Sequence, residues 1–192
     1  AEELARHLRS LGIGPEVLVG ICVERSPIMV LAVLAVLKSG GAFVPMSPDV
    51  PTERLVFVMA ETKMPVLLTQ RSLLAKLPQG QARVVCLDDP LPQASPATND
   101  GEQKPVLARH HLAYTIFTSG STGKPKGGLI SHEALLSYCL SAIEYFQLSS
   151  SDRVLQFHDF SFDVGVDQCL TPLLVGAAIV VRGEDIWDPL SF

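Results

Sequence analysis

The stretch Tyr114–Gly127 reads YTIFTSGSTGKPKG. Its first four residues are β-branched or aromatic and predict a short strand over Tyr114–Thr118. Of the ten residues from Thr118 onward, seven are Gly, Ser or Thr, and Lys124 and Lys126 are the only charges. A strand running into such a loop suits the holding of phosphates. Glycines let a backbone approach an anion closely, and successive N–H groups form a nest for it. The hydroxyls of Thr118, Ser119, Ser121 and Thr122 add neutral donors, and the lysines add compensating charge. The nucleotide-binding P-loop is a different pattern. It needs Gly where Thr118 stands and Ser or Thr where Pro125 stands.

Outward from this stretch the pattern alternates. Toward the N-terminus, helical spacing of Leu4, Ala5, Leu8 and Leu11 predicts a helix over Glu2–Leu11. Strands are predicted at Val17–Val23, Ala42–Met46, Pro65–Thr69 and Arg83–Leu87. Helices fall between them at Ile28–Leu37, Thr52–Glu61 and Ser72–Leu77. The run from Asp88 to Lys104 is rich in Pro, Ala, Ser and Asp without periodicity and reads as a surface connection. Toward the C-terminus, Ser131 is placed to cap a helix reaching Leu148. Strand, helix and strand follow at Arg153–Phe157, Phe162–Val175 and Ala177–Arg182. Strands alternating with helices argue for an α/β fold with mostly parallel sheets and flanking helices. The expected organisation is a first α/β half at 1–87, a linker at 88–110 and a second half with the phosphate loop at 111–192.

Composition narrows the function classes. The 192 residues are 47% hydrophobic and 18% charged, a globular balance, and the net charge of −5 argues against nucleic-acid or anionic-membrane partners. The longest apolar run, Ile28–Leu37, is too short to span a bilayer. Cys22, Cys86, Cys139 and Cys169 form no CxxC and read as reduced thiols, which fits a cytoplasmic protein. His110 and His111 have no second ligand cluster in register, and no metal site is expected in the chain. Both termini read as cut, so the expectation is an internal piece of a longer polypeptide.

Three motifs together resemble one family. Thr118–Gly127 matches, without a gap, the phosphate-loop signature T/S-S-G-S/T-S/T-G-x-P-K-G of the AMP-forming adenylating enzymes. Leu37–Asp49, LKSGGAFVPMSPD, continues through Pro51 to Arg54. It is similar to the LKAGGAYVPxDP and PxxR segments of nonribosomal peptide synthetase adenylation domains, with Met46 and Ser47 as departures. Read by itself, that segment is a helix stop and a strand with edge or bend prolines, a structural role. Ser161-Phe162-Asp163 and the residues to Ala177 resemble the family's SFDxSVxExxxxLLxGA segment, with Gly165 where Ser is common.

The resemblance implies the large N-terminal subdomain of an adenylation domain. It implies formation of aminoacyl-AMP from an amino acid and ATP, then loading onto the phosphopantetheine of a peptidyl carrier protein beside a condensation domain. Thr118, Ser119, Gly120, Ser121, Thr122, Gly123, Lys124, Lys126 and Gly127 would hold phosphates, with Lys126 as the catalytic charge. Asp163 would accept the substrate α-ammonium, and Asp163, Val164 and Asp167 would line the side-chain pocket. The Mg²⁺ ligand, the adenine and ribose contacts and a catalytic C-terminal lysine would lie outside these residues, so the isolated chain is expected to be inactive. His132 would have a structural or nucleotide-proximal role, and His158, by its place near the Ser-Phe-Asp segment, could line the substrate cavity. Other readings stay open: an acyl- or aryl-CoA synthetase, an inactive scaffold domain, a capping role for Asp163 and a solvent- or lysine-facing Asp167.

Overall fold

In the computed structural model the described residues are 1–90, 105–118 and 125–183. Six strands form one sheet in the order β4-β3-β1-β2-β5-β6. They are β1 (Leu18–Ile21), β2 (Ala42–Pro45), β3 (Val66–Thr69), β4 (Arg83–Cys86), β5 (Leu112–Thr118) and β6 (Lys126–Ser131). All neighbours are parallel except β5 and β6, which are antiparallel. Strands before and after the 88–110 connection thus share one sheet. A second, two-stranded parallel sheet pairs β7 (Arg153–Gln156) with β8 (Ala178–Val181).

Helix α1 (Glu2–Ser10) buries Leu4, Ala5 and Leu8. Helix α2 (Pro27–Ser39) is apolar on nearly every side, so it sits inside the molecule with Met29, Ala32, Val33, Ala35 and Val36 all buried. Pro27 opens it, where a missing N–H costs nothing. Gly40 ends it at φ +90°, and a Cβ there would also lie 2.6 Å from the Pro105 ring. Helix α3 (Thr52–Thr62) buries Leu55 and Val58 on the opposite face of the sheet.

The strands alternate between the two faces. Val19, Ile21, Phe43, Val66 and Leu68 pack with α1 and α2, whereas Cys22, Val44, Met46 and Leu67 pack with α3. The chain therefore leaves β1 on one side and returns from β2 on the other. This makes β1 the turning point of the strand order.

Two findings differ from the sequence expectation. Lys126 and Gly127, read as the end of the loop, open a strand, β6, that runs on to Ser131. Lys-Gly-Gly is a poor strand former, but pairing along the full length of β5 overrides that local preference. The helix after it, α4 (His132–Phe146), starts where expected, with the Ser131 hydroxyl accepting the Ala134 N–H at 3.2 Å. In addition, β7 and β8 pair only with each other among the described residues.

The β7–α5–β8 unit, with α5 spanning Asp163–Leu174, docks on the main sheet through aromatic and polar contacts. Phe43 is fully buried and stacks on Tyr114 at 5.2 Å and on Phe160 at 5.8 Å between ring centres. The Arg25 guanidinium, just past β1, donates to the backbone and side-chain oxygens of buried Gln156 at 3.3 Å, and to the Phe157 carbonyl. Helix α5 lies very close to the turn before it. A Cβ on Gly165 would collide with the Asp159 carbonyl oxygen and stand 2.9 Å from the Phe160 Cα.

Removing the ring at the joint, Phe43→Ala, should cost about 3–5 kcal/mol of stability in urea unfolding. A loss under about 1 kcal/mol would show that the stack is not what holds the two units together. Gly165→Ala is a sharper test. In an ordinary helix interior the change stabilises by about 1 kcal/mol. Here the new methyl meets backbone, so destabilisation of about 1–3 kcal/mol is expected. A stabilised variant would refute the close approach.

Candidate functional site

Strand β5 delivers Thr118 to the rim of the sheet, and β6 starts opposite it. Thr118 pairs in register with Lys126, and Phe117 with Gly127. Thr118, Lys126 and Gly127 are exposed, as a hydroxyl, an ammonium and a backbone offered to a ligand must be. Ser119, Gly120, Ser121, Thr122, Gly123 and Lys124 lie outside the described residues. The strand behind this edge is rigid. Tyr114, Thr115 and Ile116 are buried, and Phe117 meets the Phe57 ring of α3 edge-on at 6.3 Å. The Arg54 guanidinium on α3 donates to the Phe117 carbonyl at 2.8 Å.

The second group of expected residues sits on α5. Asp163 and Val164 are exposed in its first turn, and the Asp163 carboxylate accepts the Val164 N–H at 2.8 Å. That local bond holds the side chain at the helix start, where the dipole favours an anion. It leaves the carboxylate in reach of solvent. Asp167, one turn on, is half-buried and accepts the Thr171 hydroxyl. Thr171, rather than a lysine, is therefore the neighbour that occupies it.

Helix α4 packs beside α5 and adds a residue that the sequence did not single out. The Asp163 and Asp167 charges both reach the Tyr138 phenol of α4 and the Tyr114 phenol of β5. Burial, then these carboxylates among other neighbours, pushes Tyr114 up to about 12, so it remains a neutral hydrogen-bond donor at neutral pH. Tyr138 lies seven residues after the cap Ser131, and this position on an amphipathic helix was the available signal.

The turn between β7 and α5 is fixed by polar bonds. Gln168 of α5 accepts the N–H groups of Phe157 and His158 at 3.0 Å each. Asp159 accepts the Ser161 N–H at 2.7 Å and its hydroxyl at 2.6 Å. The His158 residue is exposed. His132 is half-buried, with desolvation, then His111, holding its pKa below the usual value. A polar cleft of about 440 Å³ opens beside this turn, at the carboxyl ends of β1, β2, β7 and β8. Arg25, Asp49, Lys76, Asp159 and Arg182 line it, and none of the residues expected from the sequence does. Among the described residues no group of three or more His, Cys, Asp or Glu side chains could hold a metal. The four thiols are free, and burial raises Cys22 and Cys169 to about 12, which suits packing and not nucleophilic attack. No helix among the described residues is long and apolar enough to cross a membrane.

The AMP-binding enzyme family model matches residues 1–191. Tyrocidine synthase 3 of Brevibacillus parabrevis is 43% identical over 96% of this chain, which covers 3% of that protein. The N-terminal subdomain of Klebsiella oxytoca NpsA superposes with a TM-score of 0.78 and 28% identity, over 99% of this chain and 49% of that one. The nonribosomal peptide synthetase FmoA3, in its alpha-methyl-L-serine-AMP bound form, superposes with a TM-score of 0.83 and 28% identity, over 95% of this chain and 20% of that one. The chain spans 2% to 5% of the length of the curated relatives it matches. With the strand-end pair Thr118–Lys126 and the acidic start of α5 set in this fold, the chain belongs to the AMP-binding enzyme family, as part of the N-terminal subdomain of a nonribosomal peptide synthetase adenylation domain.

Proposed function

We propose that this chain works within a longer cytoplasmic synthetase. There it helps convert an amino acid and ATP into aminoacyl-AMP and pyrophosphate, for transfer to the phosphopantetheine thiol of a peptidyl carrier protein next to a condensation domain. The observation that carries this reading is the exposed Thr118–Lys126 pair at the end of a buried, side-chain-locked strand. It is supported by relatives that are peptide synthetases and by a similar structure that holds an aminoacyl-AMP.

In the proposed reaction a substrate carboxylate oxygen attacks the α-phosphorus, the bond to the bridging oxygen breaks, and pyrophosphate leaves. No covalent bond to the protein is needed, so the protein acts by placement and charge. Lys126 offsets negative charge growing on the leaving group. Thr118, Gly127 and, outside the described residues, Ser119, Gly120, Ser121, Thr122, Gly123 and Lys124 bind the β- and γ-phosphates. Mg²⁺ would help neutralise the phosphates, and the described residues supply no metal-binding cluster for it. Asp163 receives the α-ammonium. Val164 and Asp167 face the substrate side chain, and with Asp167 half-buried the pocket favours a cationic or hydroxylated one.

The decisive experiment is amino-acid-dependent ATP–pyrophosphate exchange by the synthetase that carries this chain. Basic, hydroxylated and aliphatic amino acids should be compared with carboxylic acids lacking the amine. Exchange is expected with amino acids alone, and exchange with the simple acids would instead favour a CoA-ligase reading. Asp163→Ala should lower kcat/KM for the amino acid about 10- to 100-fold, the cost of losing a hydrogen bond to a charged group. Lys126→Ala should slow adenylate formation on the order of 100-fold while leaving amino-acid KM nearly unchanged. A raised amino-acid KM at full rate would remove Lys126 from the proposed role.

A further inference from the structure

Arg54 ends the PxxR run that the sequence offered only as a structural marker, yet its contact lies at the reactive edge. Its guanidinium donates to the carbonyl of Phe117, the residue before Thr118. Strands β2 and β5 are in register at Phe43 and Tyr114, and β2 ends at Pro45, opposite Ile116, so Phe117 lies one residue past the end of its partner strand. Where strand pairing stops, a side chain from α3 continues it.

The rest of the surroundings point the same way. The Phe57 ring of α3 touches the Phe117 ring edge-on, and on its other side Phe117 lies across Gly127, where a Cβ would come within 3.1 Å of the ring. Phe117 is thus gripped by its carbonyl and its ring, from α3 and from β6. Arg54 also lines a small recess with Met46, Ser47, Phe117 and Ser161, so the PxxR helix, the β5 end and the start of the Asp163 segment meet there. Among the described residues no carboxylate forms an ion pair with Arg54. Its guanidinium is held at the carbonyl of the residue before Thr118.

We infer that Arg54 is a positioning residue for the nucleotide edge. It sets the height and angle at which Thr118 and Lys126 leave the sheet, and it adds positive potential behind them. The role in catalysis rests on the adenylation reading above; the tether itself does not.

The test uses Arg54→Met, which keeps the packing stem and loses charge and donors, and Arg54→Lys, which restores the charge and one donor. In the whole synthetase, Arg54→Met should raise the ATP KM about tenfold in pyrophosphate exchange, with amino-acid KM within about twofold of wild type. Arg54→Lys should recover part of the loss. Backbone hydrogen exchange should speed up within residues 112–118 and 125–131 and stay unchanged in β1, β3 and α2. An unaltered ATP KM, or faster exchange spread evenly over the protein together with equal losses for both substrates, would overturn the inference. If wild-type synthetase activates no acid at all, the adenylation reading fails. The hydrogen-exchange result then decides the tether alone: local acceleration sustains it, and its absence removes it.

Discussion

The aromatic stack of Phe43 between Tyr114 and Phe160 is the contact on which the rest of the arrangement depends. It joins β2 to β5 within one sheet and ties the β7–α5–β8 unit to both. Three residues after Phe160 the chain reaches Asp163, and four residues after Tyr114 it reaches Thr118. One buried ring therefore fixes the separation between the acidic start of α5 and the Thr118 end of β5. Burial of Phe43, at 0% exposure, makes the joint stiff. Interiors are close-packed, and a ring in such a place cannot shift without moving its neighbours.

Around this joint the polar contacts work as latches, not as stabilising ion pairs. Arg25 spans from the end of β1 to Gln156 and Phe157, and Gln168 binds two N–H groups of the turn that precedes its helix. Each satisfies backbone groups that strand pairing leaves over at the end of β7. The same logic applies to Arg54 at the end of β5. Three different side chains thus complete backbone hydrogen bonding where strands stop.

Much of this was legible in the sequence because it is written in local chemistry. Helical spacing located α1, the ten-residue apolar run before Gly40 located α2, and Ser131 marked the start of α4. The Ser-Phe-Asp segment opened α5 with Asp163 in its first turn. What could not be read was set by partners distant in sequence. Lys126–Ser131 is a strand only because β5 lies beside it, and Tyr138 joins the acidic group only because α4 packs on α5. The Thr171 bond to Asp167 could have been found from helical spacing, since the two are one turn apart. Pairing of Arg54 with Phe117 could not, because 63 residues separate them.

The contact between Gly165 and the Asp159–Phe160 backbone bears on how such proteins exchange parts. A side chain at 165 is compatible only with a differently shaped preceding turn. The turn and the helix then behave as one inherited block: recombination between relatives that cuts between 160 and 165 joins halves made for different spacings, whereas a cut before β7 carries both together. Since the residues proposed to choose the substrate lie on that helix, a new preference travels most readily as the whole segment from Arg153 to Val181, with point changes confined to positions that do not face the turn.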